Sequence, residues 1–344
     1  MKHWKPIMIG IGLVATLTIM IPTLLVAPFH EEGAEAEAET EQSLKEPKQQ
    51  QPKKKTADIS TTIQVYRDSR KTVETVDLEK YVAGVVAAEM PANFELEALK
   101  AQALTARTFV VKALTAQTKK DIPMGADITD TINDQVYLND KELKASWGNK
   151  YKTNMEKINE AVSATKGQLL TYKEELITPS FFSTSNGYTE NSEDYWPNAL
   201  PYLRSVASPW DEGSPKYLSE TTIAVSEFER LLGVEIRNNE DVGKIIKRTE
   251  GKRIGEIEIG GKRLTGKKVR EMLGLRSSDF SWYKKGNQIV ITTKGYGHGV
   301  GMSQYGANGM AASGKSYMDI IAYYYKDVKI SQATAYLPTY TAKK

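Results

Sequence analysis

The most prominent hydrophobic pattern lies at the start of the chain, where residues 7–27 form an apolar run without a charge. About 20 apolar residues in a helix span the hydrocarbon core of a bilayer. Lys2 and Lys5 precede the run and acidic residues follow it, so the positive-inside rule places the N-terminus in the cytoplasm. The sequence therefore predicts a cytoplasmic tail at 1–6, a single membrane anchor at 7–28 and an extracytoplasmic remainder.

The alternative interpretation of this run is a signal peptide that is cleaved after export. The run is longer than the hydrophobic region of a usual signal peptide, which has about 7–15 residues. The nearest small-x-small sequence, at 34–36, lies in a glutamate-rich stretch well past the run. The pattern favours an uncleaved anchor and leaves the signal peptide open.

Residues 29–58 follow the anchor and contain almost no large apolar side chains. Their first half is rich in glutamate and alanine, and their second half in lysine, glutamine and proline. Such a segment buries no core, so we predict a disordered charged linker, or else a solvated helix over 31–46 that still serves as a spacer. The folded domain is predicted at 59–335, with a short tail at 336–344.

Within the predicted domain, the apolar positions switch between a strand period and a helical period. Residues 63–68 alternate like a strand. Apolar positions at helical spacing predict a helix over 77–90, which Pro91 ends. A second helix is predicted over 94–119, with Asn93 as its cap.

The later chain alternates short strands with helices. Strands are predicted at 169–172, 178–182, 255–261 and 288–293, and the last helix begins with the capping box 316–319. This mixture lacks the regular spacing of βαβ units, so the sequence predicts an α+β fold.

Composition removes several classes of chemistry. The chain of 344 residues contains no cysteine, which excludes thiol nucleophiles, disulfides and thiolate metal sites together. The formal net charge of +3 gives no case for nucleic-acid binding. The domain is nevertheless long enough to bury a large hydrophobic core, which must stabilise it without covalent cross-links.

A candidate catalytic residue is Glu89, which follows the apolar stretch VAGVVAA and comes two positions before Pro91. A carboxylate at a helix C-terminus faces the negative end of the helix dipole, which disfavours ionisation. Apolar neighbours also raise the pKa of a carboxyl group. Both effects suit a general acid held protonated near neutral pH, although a solvated glutamate at a helix end is the plainer interpretation.

Two basic residues mark one face of the second predicted helix. Lys100 and Arg107 are seven positions apart and therefore lie on the same side. They form either an ordinary solvated face or a cationic wall that binds an anionic substrate or tunes the candidate acid.

A serine-rich turn is predicted at 183–187, where the strand at 178–182 runs directly into STSNG. Asn-Gly is a strong turn signal, and small hydroxyls at the end of a strand suit hydrogen bonding to a polar ligand. Tyr195, Trp196 and Tyr202 follow, and aromatic faces of this kind often stack on sugar rings. An ordinary turn and core roles for the aromatic residues are the alternatives.

The segment 295–309 is rich in glycine, and its first four glycines occupy alternate positions. Alternate glycines let the backbone approach a ligand closely or adopt positive φ. The spacing is not that of a dinucleotide loop, because Val300 occupies the third glycine position. His298 lies among these glycines and is the only histidine after position 30. A histidine in this setting is hard to explain by packing, so the sequence predicts a functional role for it.

Four separated motifs together resemble the sporulation stage II protein D family of endospore-forming bacteria. They occur in the family's order and extend over roughly residues 60–330, and the single anchor also resembles the Bacillus-type members. The motifs are YVAGVVAAEMPANFELEALKAQALTARTF, FFSTSNGYTE, VREMLGLRSSDF and GYGHGVGMSQYGANGMA.

The resemblance implies a lytic transglycosylase of peptidoglycan. Such an enzyme cleaves the bond between N-acetylmuramic acid and N-acetylglucosamine and leaves a 1,6-anhydro end without adding water. The preferred glycan strands are those already stripped of stem peptides. The glutamate of the family's AAEM motif is the single acid/base, and this role carries over to Glu89.

The resemblance also implies a place and partners. The protein is expected to act on the septal wall during engulfment, from the cell membrane and with its catalytic domain outside the cytoplasm. A stage II sporulation amidase and a membrane scaffold protein are the implied protein partners. The residues expected to line the substrate cleft are Lys100, Arg107, Ser183, Ser185, Asn186, Tyr188, His298, Gln304 and Tyr305.

No metal or other cofactor is predicted. Some clostridial relatives that this chain resembles bind zinc through a histidine and two cysteines. This chain has no cysteine, and the stretch 127–140 has no histidine. One histidine cannot build a structural zinc site.

Two other functional classes stay open. A serine hydrolase would use Ser183 or Ser185 with His298, but nothing in the chain resembles a GxSxG elbow. A non-catalytic wall-binding scaffold of the engulfment machinery would bind sugar without cleaving it. For the catalytic hypothesis, Glu190 and Asp194 are the rival carboxylates.

Overall fold

The computed structural model describes residues 61–117, 120–236 and 242–337. The tail, the anchor at 7–28 and the linker at 29–58 lie outside the described residues, as does most of the C-terminal tail. Among the residues that are described, no helix is both long and apolar enough to cross a membrane.

Helices and short strands alternate through the described residues, which confirms the α+β class of the domain. The helices are α1 (Leu78–Glu89), α2 (Leu96–Thr115), α3 (Asp140–Trp147), α4 (Tyr151–Ala164), α5 (Val225–Leu232), α6 (Gly266–Leu273), α7 (Gln304–Ala312) and α8 (Tyr317–Tyr324). The strands are β1 (Thr62–Arg67), β2 (Thr72–Asp77), β3 (Ile128–Thr129), β4 (Gln168–Tyr172), β5 (Glu175–Leu176), β6 (Phe181–Phe182), β7 (Leu218–Ala224), β8 (Lys244–Arg248), β9 (Ile254–Ile259), β10 (Lys262–Thr265), β11 (Asp279–Lys285), β12 (Gln288–Lys294), β13 (Met302–Ser303) and β14 (Lys329–Gln332).

Helix α1 lies inside the main hydrophobic core and matches the predicted helix closely. It ends at Glu89 because Met90 is extended ahead of Pro91, as the residue before a proline usually is. Gly84 lets the helix approach its neighbours, since a Cβ atom there would collide with the ring of Tyr137.

Helix α2 is shorter than predicted at both ends, running from Leu96 to Thr115. The proposed cap at Asn93 is wrong. The chain first makes a turn in which the Phe94 N–H donates to the Pro91 carbonyl, and Glu95 then occupies the cap position. Buried Phe94 therefore anchors this turn to the core, and the helix starts after it.

The predicted strands are present, although one is much shorter. The predictions at 63–68, 169–172, 255–261 and 288–293 fall on β1, β4, β9 and β12. The prediction at 178–182 is reduced to β6, because this segment pairs only with the two-residue strand β13, in parallel. The capping box of α8 is confirmed, with reciprocal hydrogen bonds between Ser316 and Asp319.

Residues 218–294 form a second hydrophobic core, which we call the inserted lobe. Its two antiparallel sheets have the strand orders β11–β12–β7 and β10–β9–β8. Helices α5 and α6 cover them, and Phe228, Ile257, Val269 and Ile289 are buried together. The chain enters this lobe after the serine-rich turn and leaves it through the glycine-rich segment.

A buried polar network joins the inserted lobe to the main core. The guanidinium of Arg253 lies 3.3 Å from the Glu190 carboxylate and donates to the Tyr188 carbonyl at 3.0 Å. The Thr249 hydroxyl donates to the same carboxylate at 2.8 Å. Both members of the charged pair are almost fully buried, so removing either one would leave an uncompensated buried charge where the lobe meets the core.

Gly251 lies against this network, and a Cβ atom there would overlap the Glu190 carboxylate and the Thr189 carbonyl. We expect Gly251→Ala to lower the free energy of unfolding by about 1–3 kcal/mol, the usual range for overpacking. Urea denaturation measures this loss.

Gly213→Ala is the matched control, because no neighbour lies within contact of a Cβ atom there and its φ is not positive. It should change stability by less than about 0.5 kcal/mol. Equal stability of the two variants would show that the junction tolerates the added methyl group.

Candidate functional site

Glu89 is the last residue of α1 and is half-buried. Its Oε1 atom accepts a hydrogen bond from the Val136 N–H at 3.0 Å. Burial raises the pKa of this carboxyl group, and the Val136 hydrogen bond opposes the shift because it favours the ionised form. Within the described residues, no cation pairs with Glu89 and no second carboxylate contributes to the shift.

The fully buried carboxylate of Asp211 positions the segments next to Glu89. Its oxygens accept from the Ser185 N–H at 2.9 Å and from the hydroxyls of Ser185 at 2.8 Å and Ser208 at 2.6 Å. The Ser303 hydroxyl donates to the same carboxylate at 2.5 Å and accepts from an N–H in the first turn of α7. Burial raises the pKa of Asp211, and these hydrogen bonds counter the rise.

Gln304 begins α7 directly after this network and contacts the end of α1. Its Nε2 atom donates to the Glu89 carbonyl at 3.0 Å and to Gln102 Oε1 at 3.4 Å. The structure therefore brings the predicted residues Glu89 and Gln304 together. Gln102 was not predicted, although a glutamine within the alanine-rich stretch of α2 was a usable signal.

Tyr305 and Ser183 join the same surface. The Tyr305 N–H donates to the Ser183 carbonyl at 3.0 Å. The ring of Tyr305 meets Phe94 edge to face, with 4.8 Å between the ring centroids. Both predicted residues are half-buried and lie next to Gln304. This arrangement depends on the parallel pairing of β6 with β13, which aligns the two segments.

The other predicted residues of the serine-rich turn have structural partners instead. Ser185 is buried against Asp211. Asn186 is buried, and its Nδ2 atom donates to the Gly251 carbonyl at 3.0 Å and to Asp279 at 2.9 Å. Tyr188 is exposed at the junction with the inserted lobe, with Lys252 Nζ 5.8 Å from its ring centroid. None of these contacts connects the three residues to Glu89.

The two basic residues of α2 also have partners other than Glu89. Lys100 is paired with Glu97 at 2.5 Å, and its Nζ atom lies 5.9 Å from the ring centroid of Tyr317.

Arg107 is completely buried, and the Glu79 carboxylate accepts hydrogen bonds from its Nε and Nη2 atoms, the shortest at 2.7 Å. Its Nη atoms also donate to the carbonyls of Val162 and Gln168, both at 3.3 Å. The side chain therefore holds α2 to α1, α4 and β4. Its complete burial favours this structural role, and its place in the substrate cleft stays a prediction.

His298 packs in an aromatic cage that the sequence did not reveal. Its ring centroid lies 5.7 Å from Phe182, 5.5 Å from Tyr195 and 5.1 Å from Trp196. Its Nδ1 atom accepts from the Val300 N–H at 3.1 Å, and a second hydrogen bond joins it to the backbone of Phe181.

Desolvation lowers the pKa of His298 to about 3, and two nearby arginines reinforce this effect. At physiological pH, the ring is therefore neutral and held by the backbone on both sides. The side chain is nevertheless only half-buried, so the functional role predicted from the sequence stays a prediction.

In the described ranges, no group of three or more His, Cys, Asp or Glu side chains could hold a metal ion. The expectation of no metal stays a prediction. A groove of about 610 Å³ lies between β2, α1 and α4, with Glu74, Asp77 and Lys80 on its wall. It contains none of the predicted site residues.

Comparison with known proteins identifies close relatives. A family model described as stage II sporulation protein matches residues 66–172. The chain is 49% identical to stage II sporulation protein D of Bacillus amyloliquefaciens, over 99% of this chain and 100% of the relative. It is 48% identical to the protein of that name from Bacillus subtilis (strain 168), with the same coverage. An amidase enhancer of Bacillus subtilis is 30% identical over 70% of this chain and 39% of its own length.

The environment of His298 predicts that its ring stays neutral in mild acid. The unfolded chain binds a proton near the usual pKa of 6.5, whereas the folded chain does so only near 3. Between these values, the unfolded state holds more protons, so the stability from this residue is present above pH 6.5 and is lost as the pH falls. An NMR titration of the ring nitrogens should show no protonation between pH 7 and 5. Protonation of the His298 ring within that range would show that its surroundings do not lower its pKa.

Arg107→Lys should act on folding, because lysine keeps the charge but cannot make the paired hydrogen bonds to Glu79. We expect a loss of about 3 kcal/mol in the free energy of unfolding, measured in urea, since a buried pair is broken. Arg70→Lys, at an exposed arginine paired with Glu142, is the control and should change stability by less than about 0.5 kcal/mol. Unchanged stability with weaker glycan binding would place Arg107 in the substrate cleft.

Proposed function

Because the chain belongs to the stage II sporulation protein D family, we propose that it is a peptidoglycan lytic transglycosylase that acts during sporulation. The substrate is a glycan strand, preferably without stem peptides, and the bond cleaved joins N-acetylmuramic acid to N-acetylglucosamine. Glu89 is the single acid/base, and the product carries a 1,6-anhydro-muramic end.

The observation that carries this proposal is the environment of Glu89. It is a half-buried carboxyl group with a raised pKa, a fixed orientation through Val136 and no cationic partner among the described residues. A carboxyl group in this state holds a proton closer to neutral pH and remains accessible, which a general acid requires.

The other carboxyl groups with a raised pKa fit this role less well. Glu190 is buried and paired with Arg253. Asp211 is buried and accepts hydrogen bonds from three serines. Asp194 is exposed in a short turn. Glu89 alone among these combines partial burial with the absence of a charged partner in the described residues.

The proposed reaction needs only one carboxyl group. Protonated Glu89 donates its proton to the glycosidic oxygen, and the bond from C1 of muramic acid to that oxygen breaks. The C6 hydroxyl oxygen of the same sugar then bonds to C1, and its proton passes to the Glu89 carboxylate, which restores the acid. A retaining hydrolase would need a second carboxylate about 5 Å away, and an inverting one a more distant base. The pKa of Glu89 carries no contribution from such a neighbour.

The wider setting is part of the same proposal. We place the N-terminal anchor at 7–28 in the cell membrane and the catalytic domain outside the cytoplasm, at the septal wall during engulfment. A stage II sporulation amidase would supply the stripped strands, and a membrane scaffold protein would hold the enzymes together. The similarity to a protein named amidase enhancer supports a role beside an amidase.

The alternative classes differ in how well the geometry supports them. A serine hydrolase is not supported, because the Ser185 hydroxyl donates to Asp211 and His298 is engaged by backbone groups. A wall-binding scaffold without activity requires the same surface but no acid, so the raised pKa of Glu89 favours the enzyme.

The test is digestion of peptide-free glycan strands, followed by mass spectrometry of the products. The wild-type chain should release 1,6-anhydro-muramic ends, and Glu89→Gln should reduce the rate by at least about 100-fold, the scale of general acid–base catalysis. Asp194→Asn should keep the wild-type rate. Ordinary reducing ends would make the protein a hydrolase, and full activity of Glu89→Gln would remove the role of Glu89.

A measurement of stability separates lost chemistry from lost folding. The folded-state pKa of Glu89 is raised, so the folded wild-type chain keeps its proton to higher pH than the unfolded chain does. Its stability therefore falls as the pH rises through that raised pKa. Glu89→Gln lacks this loss and keeps the acceptor for Val136, so its melting temperature near pH 7 should at least equal that of the wild type.

A further inference from the structure

Tyr305 is one of two tyrosines that lie close to two cations. We call this group the tyrosine–cation surface, and its members are Lys216, Arg276, Tyr296 and Tyr305. The Nζ atom of Lys216 lies 5.7 Å from the ring centroid of Tyr305 and 5.5 Å from that of Tyr296. The Cζ atom of Arg276 lies 5.3 Å from the Tyr296 centroid. Lys216 is thus close to both rings, and Tyr296 is close to both cations.

Arg276 differs from most arginines of the described residues in having no acidic partner, and Lys216 has none there either. Arg204 pairs with Glu193, and Arg248 pairs with Asp279 at 3.0 Å. In the described ranges, neither Lys216 nor Arg276 lies within ion-pair distance of a carboxylate, and both lie against aromatic rings. Their positive charge is therefore available to an anion from outside the chain.

Backbone hydrogen bonds hold this surface in place. Tyr296 and Thr184 exchange two hydrogen bonds, at 2.7 and 3.0 Å. The Gly297 N–H donates to the Arg276 carbonyl at 2.9 Å, and the Gly295 N–H donates to the Tyr217 carbonyl at 2.7 Å. The three segments that carry the side chains are thus fixed to one another, which lowers the entropy cost of binding.

The surface is continuous with the candidate acid. Tyr305 follows Gln304, which donates to the Glu89 carbonyl, and its ring packs on Phe94 in the turn after α1. The backbone of Glu89 is therefore linked through Gln304 to Tyr305, and the ring of Tyr305 lies close to Lys216.

We propose that the tyrosine–cation surface binds the free carboxylate of a muramic acid residue in a peptide-free glycan, with the tyrosine rings against its sugars. This inference rests on the proposed function. The lactyl carboxyl group of muramic acid is an amide when a stem peptide is attached and a carboxylate when it is absent. Two cations without acidic partners therefore distinguish the two forms, and aromatic faces contribute sugar contacts that both forms share.

The test measures binding with the full-length Glu89→Gln chain, so that no ligand is consumed. One ligand is peptide-free glycan, and the other is the same glycan after its carboxyl groups are converted to methylamides. We expect the neutral glycan to bind about tenfold more weakly, the scale of a lost hydrogen bond to a charged group. Equal affinity for the two glycans would overturn the proposal.

Added substitutions assign the discrimination to residues. Lys216→Gln or Arg276→Gln, each combined with Glu89→Gln, should weaken binding of the charged glycan and leave that of the neutral glycan nearly unchanged. Lys152→Gln removes an exposed charge on α4 and should keep the full tenfold difference. The proposal fails if Lys152→Gln loses the discrimination equally, or if both surface variants retain it.

Two further measurements separate the carboxylate site from a phosphate site and from the enzymatic activity. In the first, poly(glycerol phosphate) and unlabelled peptide-free glycan compete with bound glycan. If the phosphate polymer displaces it at the lower concentration, the surface recognises phosphate and the proposal is overturned. If the wild type makes no anhydro ends while the tenfold discrimination persists, the enzymatic function fails and the carboxylate site stands. If the wild type forms anhydro ends equally fast from both glycans and binds them equally, the enzymatic function stands and the carboxylate site fails.

Discussion

The buried carboxylate of Asp211 holds together three segments that are distant in sequence, and the candidate site depends on it. It accepts hydrogen bonds from the serine-rich turn, from Ser208 and from Ser303, the cap of α7. A carboxylate taken out of water is costly unless such donors surround it, so the donors must arrive together. Since Gln304 follows Ser303, this arrangement also fixes where Gln304 meets the end of α1. The contact between Gln304 and the end of α1 is therefore a consequence of a polar network that is buried away from it.

Much of the secondary structure could be predicted because its causes are local. Pro91 forces Met90 out of the helical region and ends α1. The capping box at the start of α8 joins Ser316 and Asp319, which are only three positions apart. The start of α2 could not be predicted from Asn93, because the burial of Phe94 imposes a turn before the helix. The inserted lobe was also missed. Its strands have the pattern expected of an α+β fold, and only the spatial grouping of its apolar residues shows a separate core.

The candidate site shows the same division between local and distant causes. The raised pKa of Glu89 follows from apolar neighbours that are visible in the sequence, and the structure adds the Val136 hydrogen bond. Arg107 and His298 have the residue types of a binding site, but residues far away in the chain bury the first completely and half-bury the second. Glu79 and the carbonyls of α4 and β4 surround the arginine, and aromatic residues from two other segments surround the histidine. Residue type alone does not separate a buried structural group from an exposed functional one, because burial is decided by tertiary packing.

The glycine-rich segment connects these observations, since it carries the chain from the inserted lobe back to α7. Gly295, Gly297, Gly299 and Gly301 all have positive φ, which residues with a side chain adopt only at a cost. A Cβ atom at 297 would lie 2.7 Å from Phe182, and one at 299 would overlap Arg253. The alternation therefore allows close contact with both the main core and the inserted lobe, while the residues between the glycines point elsewhere. Tyr296 is exposed, His298 is half-buried against aromatic rings and Val300 is fully buried. Because Arg276 belongs to the inserted lobe and Tyr305 to the main core, this segment sets the distance between the proposed anion site and Glu89. The glycines thus position the proposed anion site through backbone geometry, without supplying a functional group of their own.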